Sequence, residues 1–278
     1  MNIRLLGTFE VTLNGALVMP TAPKPRQLLA LLALHADQVV PVASLAEELW
    51  GGRPPRTART TLQTYVLQLR ELIAAALEKG QDRRGARKTA KDVLATVPGG
   101  YLLDSVGGTI DVRELERLTG VGYRAMDAGD FQGAARHLRE ALALWTGPAF
   151  ADVQAGPQLE MEAKRLEEMR LCALDTRVEA DLRLGRHRDL LVELTVLVNR
   201  YPTHEKLHGQ YMLALHRSGR RGEALEAYQR IRSTLVRELG LEPSGELRRV
   251  QQVILMAGPQ AGPAAVAYGR RGRLVRSH

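Results

Sequence analysis

The stretch TARTTLQTYVLQLRELIAAA, Thr57–Ala76, decides how the N-terminal part of the chain is read. Leu62, Val66, Leu69 and Ile73 recur at i, i+4, i+7 and i+11, the stripe of a helix with one buried face. The opposite side carries Thr57, Thr60, Thr64 and Gln68, flanked by Arg59, Gln63 and Arg70. A packed stripe backed by hydroxyl, amide and guanidinium groups suits a surface that reads hydrogen-bonding edges. Upstream, Leu28, Leu31, Leu32 and Leu34 follow Pro23 and Pro25 at helical spacing, and proline suits a first helical turn. Val39-Val40 is a short extended piece. Ser44 with Glu47 forms a capping box for a short second helix that buries Leu45, Leu49 and Trp50. Gly51–Pro55 stops that helix.

The chain opens with period-2 alternation. Ile3, Leu5, Phe9, Val11 and Leu13 lie on one face, and Asn14-Gly15 is a hairpin signal. Downstream, Val93–Thr96, a Pro98-Gly99-Gly100 turn and Tyr101–Leu103 read as strand, turn and strand. Helix, short helix, long helix, hairpin is the winged helix-turn-helix order. Residues 79–91 are basic and featureless and are expected to form a mobile loop that includes Arg83, Arg84 and Arg87. Residues 105–110 read as a linker.

Beyond 110 the pattern is helical to about 257. Gly129, Gly185 and Gly219 mark breaks, and the last two are 34 residues apart (219 − 185), the tetratricopeptide period. The expected fold is mainly α with a small β component. A winged helix-turn-helix with an N-terminal antiparallel sheet spans 1–104. A tetratricopeptide-like all-α domain spans 111–257. The tail 258–278 is basic and expected to be disordered.

The formal net charge is +8. Residues 1–104 carry +4 (13 basic, 9 acidic), 105–257 are neutral (22 and 22), and the tail carries +4 from four arginines. Charge at the two ends suits a polyanionic partner, although an Arg- and Ala-rich coding bias would raise it too. Cys172, the only cysteine, permits no internal disulfide and is expected as a small buried residue. A lone cysteine, no signal-peptide pattern and no long apolar run give a cytoplasmic expectation.

Lys24–Gln27, Glu47–Gly51, Thr61–Val66 with Leu69-Arg70, Gly99–Tyr101, Glu179–His187 and Glu238–Pro243, in that order, resemble the Streptomyces antibiotic regulatory protein family. The second half resembles that family's bacterial transcriptional activation domain. The resemblance implies a pathway-specific activator of a secondary-metabolite gene cluster, of the type without ATPase, sensor or receiver modules. It implies binding to direct repeats about one DNA turn apart, self-association on DNA, and contact with RNA polymerase holoenzyme. Activator and repressor are not distinguished by the residues themselves.

Read as a DNA-binding helix, Thr57–Ala76 offers Arg59, Thr60, Thr61, Gln63, Thr64 and Gln68 to base edges. Lys24, Arg26, Arg56, Arg70, Thr96, Gly99 and Gly100 are the candidates for phosphate contact, with the start of the first helix a favourable anion site. Tyr101 and Trp50 are expected in the core. No cofactor or metal is expected. His204–His208 matches HExxH, but Tyr201-Pro202-Thr203 makes it a helix start with Thr203 as cap, and no third ligand is evident. No catalytic set emerges, so the chain is expected not to be an enzyme. The alternatives are a tetratricopeptide-type adaptor without DNA readout and a zinc hydrolase.

Overall fold

In a computed structural model, residues 1–79 and 88–257 are described. Arg83, Arg84, Arg87 and the basic tail therefore lie outside the described residues. The chain divides into two compact units, Met1–Arg177 and Val178–His278.

The first unit begins with β1 (Asn2–Arg4), β2 (Glu10–Leu13) and β3 (Ala16–Leu17). Ile3 pairs with Val11 across the antiparallel β1–β2 ladder, and Thr12 with Leu17 across β2–β3. The alternation pays out as expected: Ile3, Leu5, Phe9, Val11 and Leu13 are all buried. A fourth strand, β7 (Thr109–Ile110), runs parallel to β1, with Ile110 opposite Ile3. Its two residues sit in the glycine-flanked stretch read as a linker. So short a strand has no period to detect.

Helices α1 (Pro23–Leu34), α2 (Val42–Trp50) and α3 (Ala58–Lys79) follow. Leu62, Val66, Leu69 and Ile73 are buried, as the stripe demands. Between α1 and α2 lies β4 (Val39–Pro41). Helix α4 (Ala90–Val93), with a Thr89–Asp92 capping box, leads into β5 (Leu94–Val97) and β6 (Gly100–Leu103). The order β4-β6-β5 makes a second, antiparallel sheet. Tyr101 is buried in it, opposite Val40 and Thr96, while Trp50 is only half-buried.

The expected capping box at Ser44 is corrected. Helix α2 starts three residues earlier, with extended Pro41 in place of Ser44 as the cap, and Val42 N–H donates to the Gly99 carbonyl. Ser44 and Glu47 are spent on Gln158, whose side-chain amide donates to the Ser44 carbonyl and the Glu47 carboxylate.

Helices α5 (Asp111–Asp127), α6 (Phe131–Ala143) and the start of α7 (Pro157–Arg183) complete this unit. Its core runs without a break from Met1 through Leu115 and Trp145 to Leu166. Three carboxylates fasten chain segments that apolar packing alone would leave free to slide. Asp111 accepts from the Leu5 and Leu6 N–H groups, at 2.7 and 2.9 Å. Asp152 accepts from Phe9 N–H and pairs with Arg26. Glu48, only 2% exposed, accepts from the Gln27 amide and from the backbone N–H groups of Gly156, Gln158 and Leu159. It caps the N-terminus of α7, where backbone donors and the helix dipole both favour an anion. A Cβ on Gly156 would lie 2.0 Å from the Glu48 carbonyl oxygen, so only glycine fits there.

The second unit holds the end of α7, then α8 (His187–Arg200), α9 (Glu205–Arg217), α10 (Arg221–Leu239) and α11 (Gly245–Met256). Leu194, Leu207, Met212, Leu215, Ile231 and Ile254 are buried in it. Gly185 and Gly219 break the helices with φ of +77° and +81°, as does Gly129 between α5 and α6 with +79°. Glycine reaches that region without a Cβ clash. No helix among the described residues is long and apolar enough to cross a membrane.

Two predictions follow from these buried groups. Glu48→Ala strands three backbone donors and an amide together, and should lower unfolding stability by about 3 kcal/mol. Urea denaturation checks it; a loss below about 1 kcal/mol would contradict the capping role. His208 is 7% exposed, and burial depresses its pKa to about 4 from an ordinary 6.5. Above pH 6.5 the ring is neutral in both folded and unfolded chains. As pH falls from 6.5 towards 4, the unfolded chain takes up the proton first and stability is lost. Cooling of the thermal midpoint between about pH 7 and about pH 4.5 should shrink in His208→Gln, with about 2 kcal/mol of the wild-type loss removed.

Candidate nucleic-acid interface

The two sides of α3 are sharply divided. Arg59, Thr60, Gln63, Thr64 and Gln68 are exposed, and Thr61 is half-buried beside Leu62. Thr60, Thr64, Leu67 and Glu71 are all exposed and repeat the i, i+4, i+7, i+11 spacing of the buried stripe. They form a ridge on the far side of the helix, with Gln63 and Gln68 on its two flanks. Thr64 Oγ1 donates to the Thr60 carbonyl at 3.1 Å, so its hydroxyl proton is occupied within the helix. Leu67 belongs to this ridge, yet the polarity pattern gives no reason to choose it. Its 57% exposure is what singles it out.

The basic candidates separate into two groups. Arg56 and Arg59 are exposed and have no ion-pair or hydrogen-bond partner among the described residues. Lys24, Arg26 and Arg70 are committed inside the fold. Lys24 Nζ donates to the Leu49 carbonyl at 2.6 Å and to Gln27. Arg26 pairs with Asp152. Arg70 donates twice to the Leu94 carbonyl, at 3.0 and 2.8 Å, and once to Thr96 Oγ1 at 2.8 Å. That fork ties α3 to the β5–β6 hairpin, and it uses the planar geometry that only arginine has.

In the wing, Thr96 and Gly99 are exposed, but Gly100 is buried. A Cβ on Gly100 would stand 2.2 Å from the Val40 carbonyl oxygen, so this glycine serves the close approach of β6 to β4. The start of α1 offers fewer donors than the helix-start argument supposes. Pro23 and Pro25 carry no N–H, and Arg26 N–H already donates to the Ala22 carbonyl.

The HExxH stretch is used differently. His204, rather than Thr203, is the N-cap of α9, its Nδ1 accepting from Leu207 N–H at 3.3 Å. Glu205 accepts from Ser244 N–H at the start of α11. His208 is buried, and its Nε2 has no partner among the described residues. No group of three His, Cys, Asp or Glu among the described residues is placed to hold a metal. Cys172 is exposed rather than buried. It lies on α7 next to buried Ala173, so the helix turns the thiol outward.

Comparison with known proteins agrees with this architecture. Residues 18–84 match the family model "Transcriptional regulatory protein, C terminal", and residues 110–255 match "Bacterial transcriptional activator domain". Regulatory protein DnrI of Streptomyces peucetius is 52% identical over 259 residues, covering 93% of each chain. Transcriptional regulator RedD of Streptomyces coelicolor is 33% identical, covering 93% of this chain and 71% of that one. A solved structure of Mycobacterium tuberculosis EmbR with a low-affinity phosphopeptide superposes with a TM-score of 0.81 at 33% identity. It covers 91% of this chain, which spans 64% of the EmbR chain. With a winged-helix region ahead of an activator domain, and relatives alike over nearly its whole length, the chain belongs to the Streptomyces antibiotic regulatory protein family of DNA-binding transcriptional regulators.

Proposed function

We propose that the chain activates transcription of an antibiotic or other secondary-metabolite gene cluster by binding direct repeats upstream of its promoters. The observation that carries this reading is the exposed polar face of α3, backed by a fully buried stripe. A major groove admits one such helix, glutamine matches adenine edges, and arginine matches guanine. Arg59, Thr60, Thr61, Gln63, Thr64 and Gln68 meet the bases. Arg56 leads the phosphate contacts, joined by exposed Thr96 and Gly99 of the wing. Lys24, Arg26, Arg70 and Gly100 support these surfaces from within, and reach phosphate only if their internal bonds rearrange. Copies bound to adjacent repeats self-associate, and the helical region meets RNA polymerase holoenzyme. The protein acts in the cytoplasm as a regulator and not as an enzyme, with no cofactor.

Footprinting of the promoters beside its own gene tests the reading, with a Gln63→Ala, Thr64→Ala double variant alongside. Wild type should protect direct repeats one turn apart. The variant should lose that pattern and keep salt-sensitive binding. If neither protects a discrete site, the tetratricopeptide-type adaptor reading takes its place. Arg56→Ala should weaken binding to every duplex alike and reduce the salt slope by about one. An unchanged slope would remove Arg56 from the phosphate contacts.

A further inference from the structure

We propose that Leu67 is a specificity-determining residue that packs on a thymine methyl group in the operator. The inference rests on α3 being the DNA-reading helix.

Leu67 is a large aliphatic side chain, 57% exposed, in the middle of a polar ridge. Burial gives no account of it, since the stripe on the other side of α3 already fills the core. Its neighbours on the ridge are Thr60, Thr64 and Glu71, with Gln63 one turn before it and Gln68 beside it. Because the Thr64 hydroxyl donates to the Thr60 carbonyl, Thr64 has no hydroxyl proton to offer a base and adds apolar character through its methyl. Leu67 and Thr64 together make a small apolar spot bounded by two glutamine amides.

In the major groove only thymine presents an apolar group, its C5 methyl, while the other base edges present donors and acceptors. An apolar spot among amides therefore matches a thymine next to adenines that glutamine can read. A cytosine under Leu67 would lack the methyl and would set an unpaired amino group against a hydrocarbon surface, which disfavours it further. The apolar contact gives sequence information that no phosphate contact can supply.

Uracil scanning of the footprinted site tests this with the full chain. Each thymine of the protected duplex is replaced singly by deoxyuridine, which removes the methyl and leaves every hydrogen-bonding group. Binding is measured for wild type, Leu67→Ala and Leu67→Met. Leu67 is exposed and alanine favours helix, so the alanine variant retains α3. At one thymine per repeat, uracil should weaken wild-type binding about fourfold, the value of one buried methyl. Leu67→Ala should bind the thymine duplex at least that much more weakly and be indifferent to uracil there. Leu67→Met should keep the sensitivity.

A uracil effect that persists in Leu67→Ala would assign the methyl to another residue and overturn the proposal. So would a loss in Leu67→Ala that is equal on all duplexes, which would place Leu67 against another copy of the chain. Affinity unchanged by Leu67→Ala would overturn it as well. A discrete footprint with any of these results leaves the DNA-reading proposal standing. The absence of a discrete footprint would overturn both.

Discussion

The geometry of the first unit depends on the buried carboxylate of Glu48. Removing a carboxylate from water is costly, and only several well-aimed donors offset the cost. Glu48 has four: one side-chain amide from α1 and three backbone N–H groups at the start of α7. Those donors come from segments more than a hundred residues apart in sequence. Apolar contacts are non-directional and would permit neighbouring arrangements of α1, α2 and α7 at similar energy. The carboxylate permits one. Asp111 and Asp152 do the same for the stretch between β1 and β2, so that the sheet and the helices share a fixed frame. Helix α3 packs into that frame through its stripe, and the direction of its exposed ridge follows.

How much of this is legible in sequence depends on whether a feature is periodic. The α3 stripe spans twelve positions and the β1–β2 alternation recurs on one face, so both survive local exceptions. The three helix-breaking glycines are legible because a backbone requirement selects the residue directly. Strand β7 is two residues long and pairs with a strand over a hundred positions away, so nothing local marks it. At Ser44 a local rule misleads. The S-x-x-E pattern is genuine, but the β6 turn holds the chain extended through Pro41 and starts the helix sooner. Tertiary context decides the boundary.

Glu48 itself left a trace. It stands three residues after Leu45 and next to Leu49, on the side of α2 that the leucines mark as buried. A charged residue at a stripe position calls for a partner, and the sequence cannot say which one. Cys172 shows the reverse error. Composition makes a lone cysteine look like a small core residue, but a long helix such as α7 also has an outer side, and its periodicity there is weak. The HExxH spacing is a third case. Histidine and glutamate at a helix start can cap backbone donors, and a cap satisfies the same i, i+4 pattern that a metal site would.

The candidate interface carries the same lesson for charge. A surplus of lysine and arginine within residues 1–104 invites the view that each cation is available to a phosphate. Three of the basic candidates instead spend their donors on carbonyls and carboxylates of the fold. Arg70 is the clearest instance, because its guanidinium is bonded to the Leu94 carbonyl and Thr96 Oγ1 and so fixes the wing relative to α3. Net charge attracts the polyanion from a distance, whatever its partners. Arg56 and Arg59 are the candidate cations left uncommitted among the described residues, and on the proposed reading phosphate contact falls to Arg56 and sequence discrimination to the exposed face of α3. That reading would divide attraction, support and readout among different residues, and the division rests on the hydrogen bonds that each cation makes within the fold.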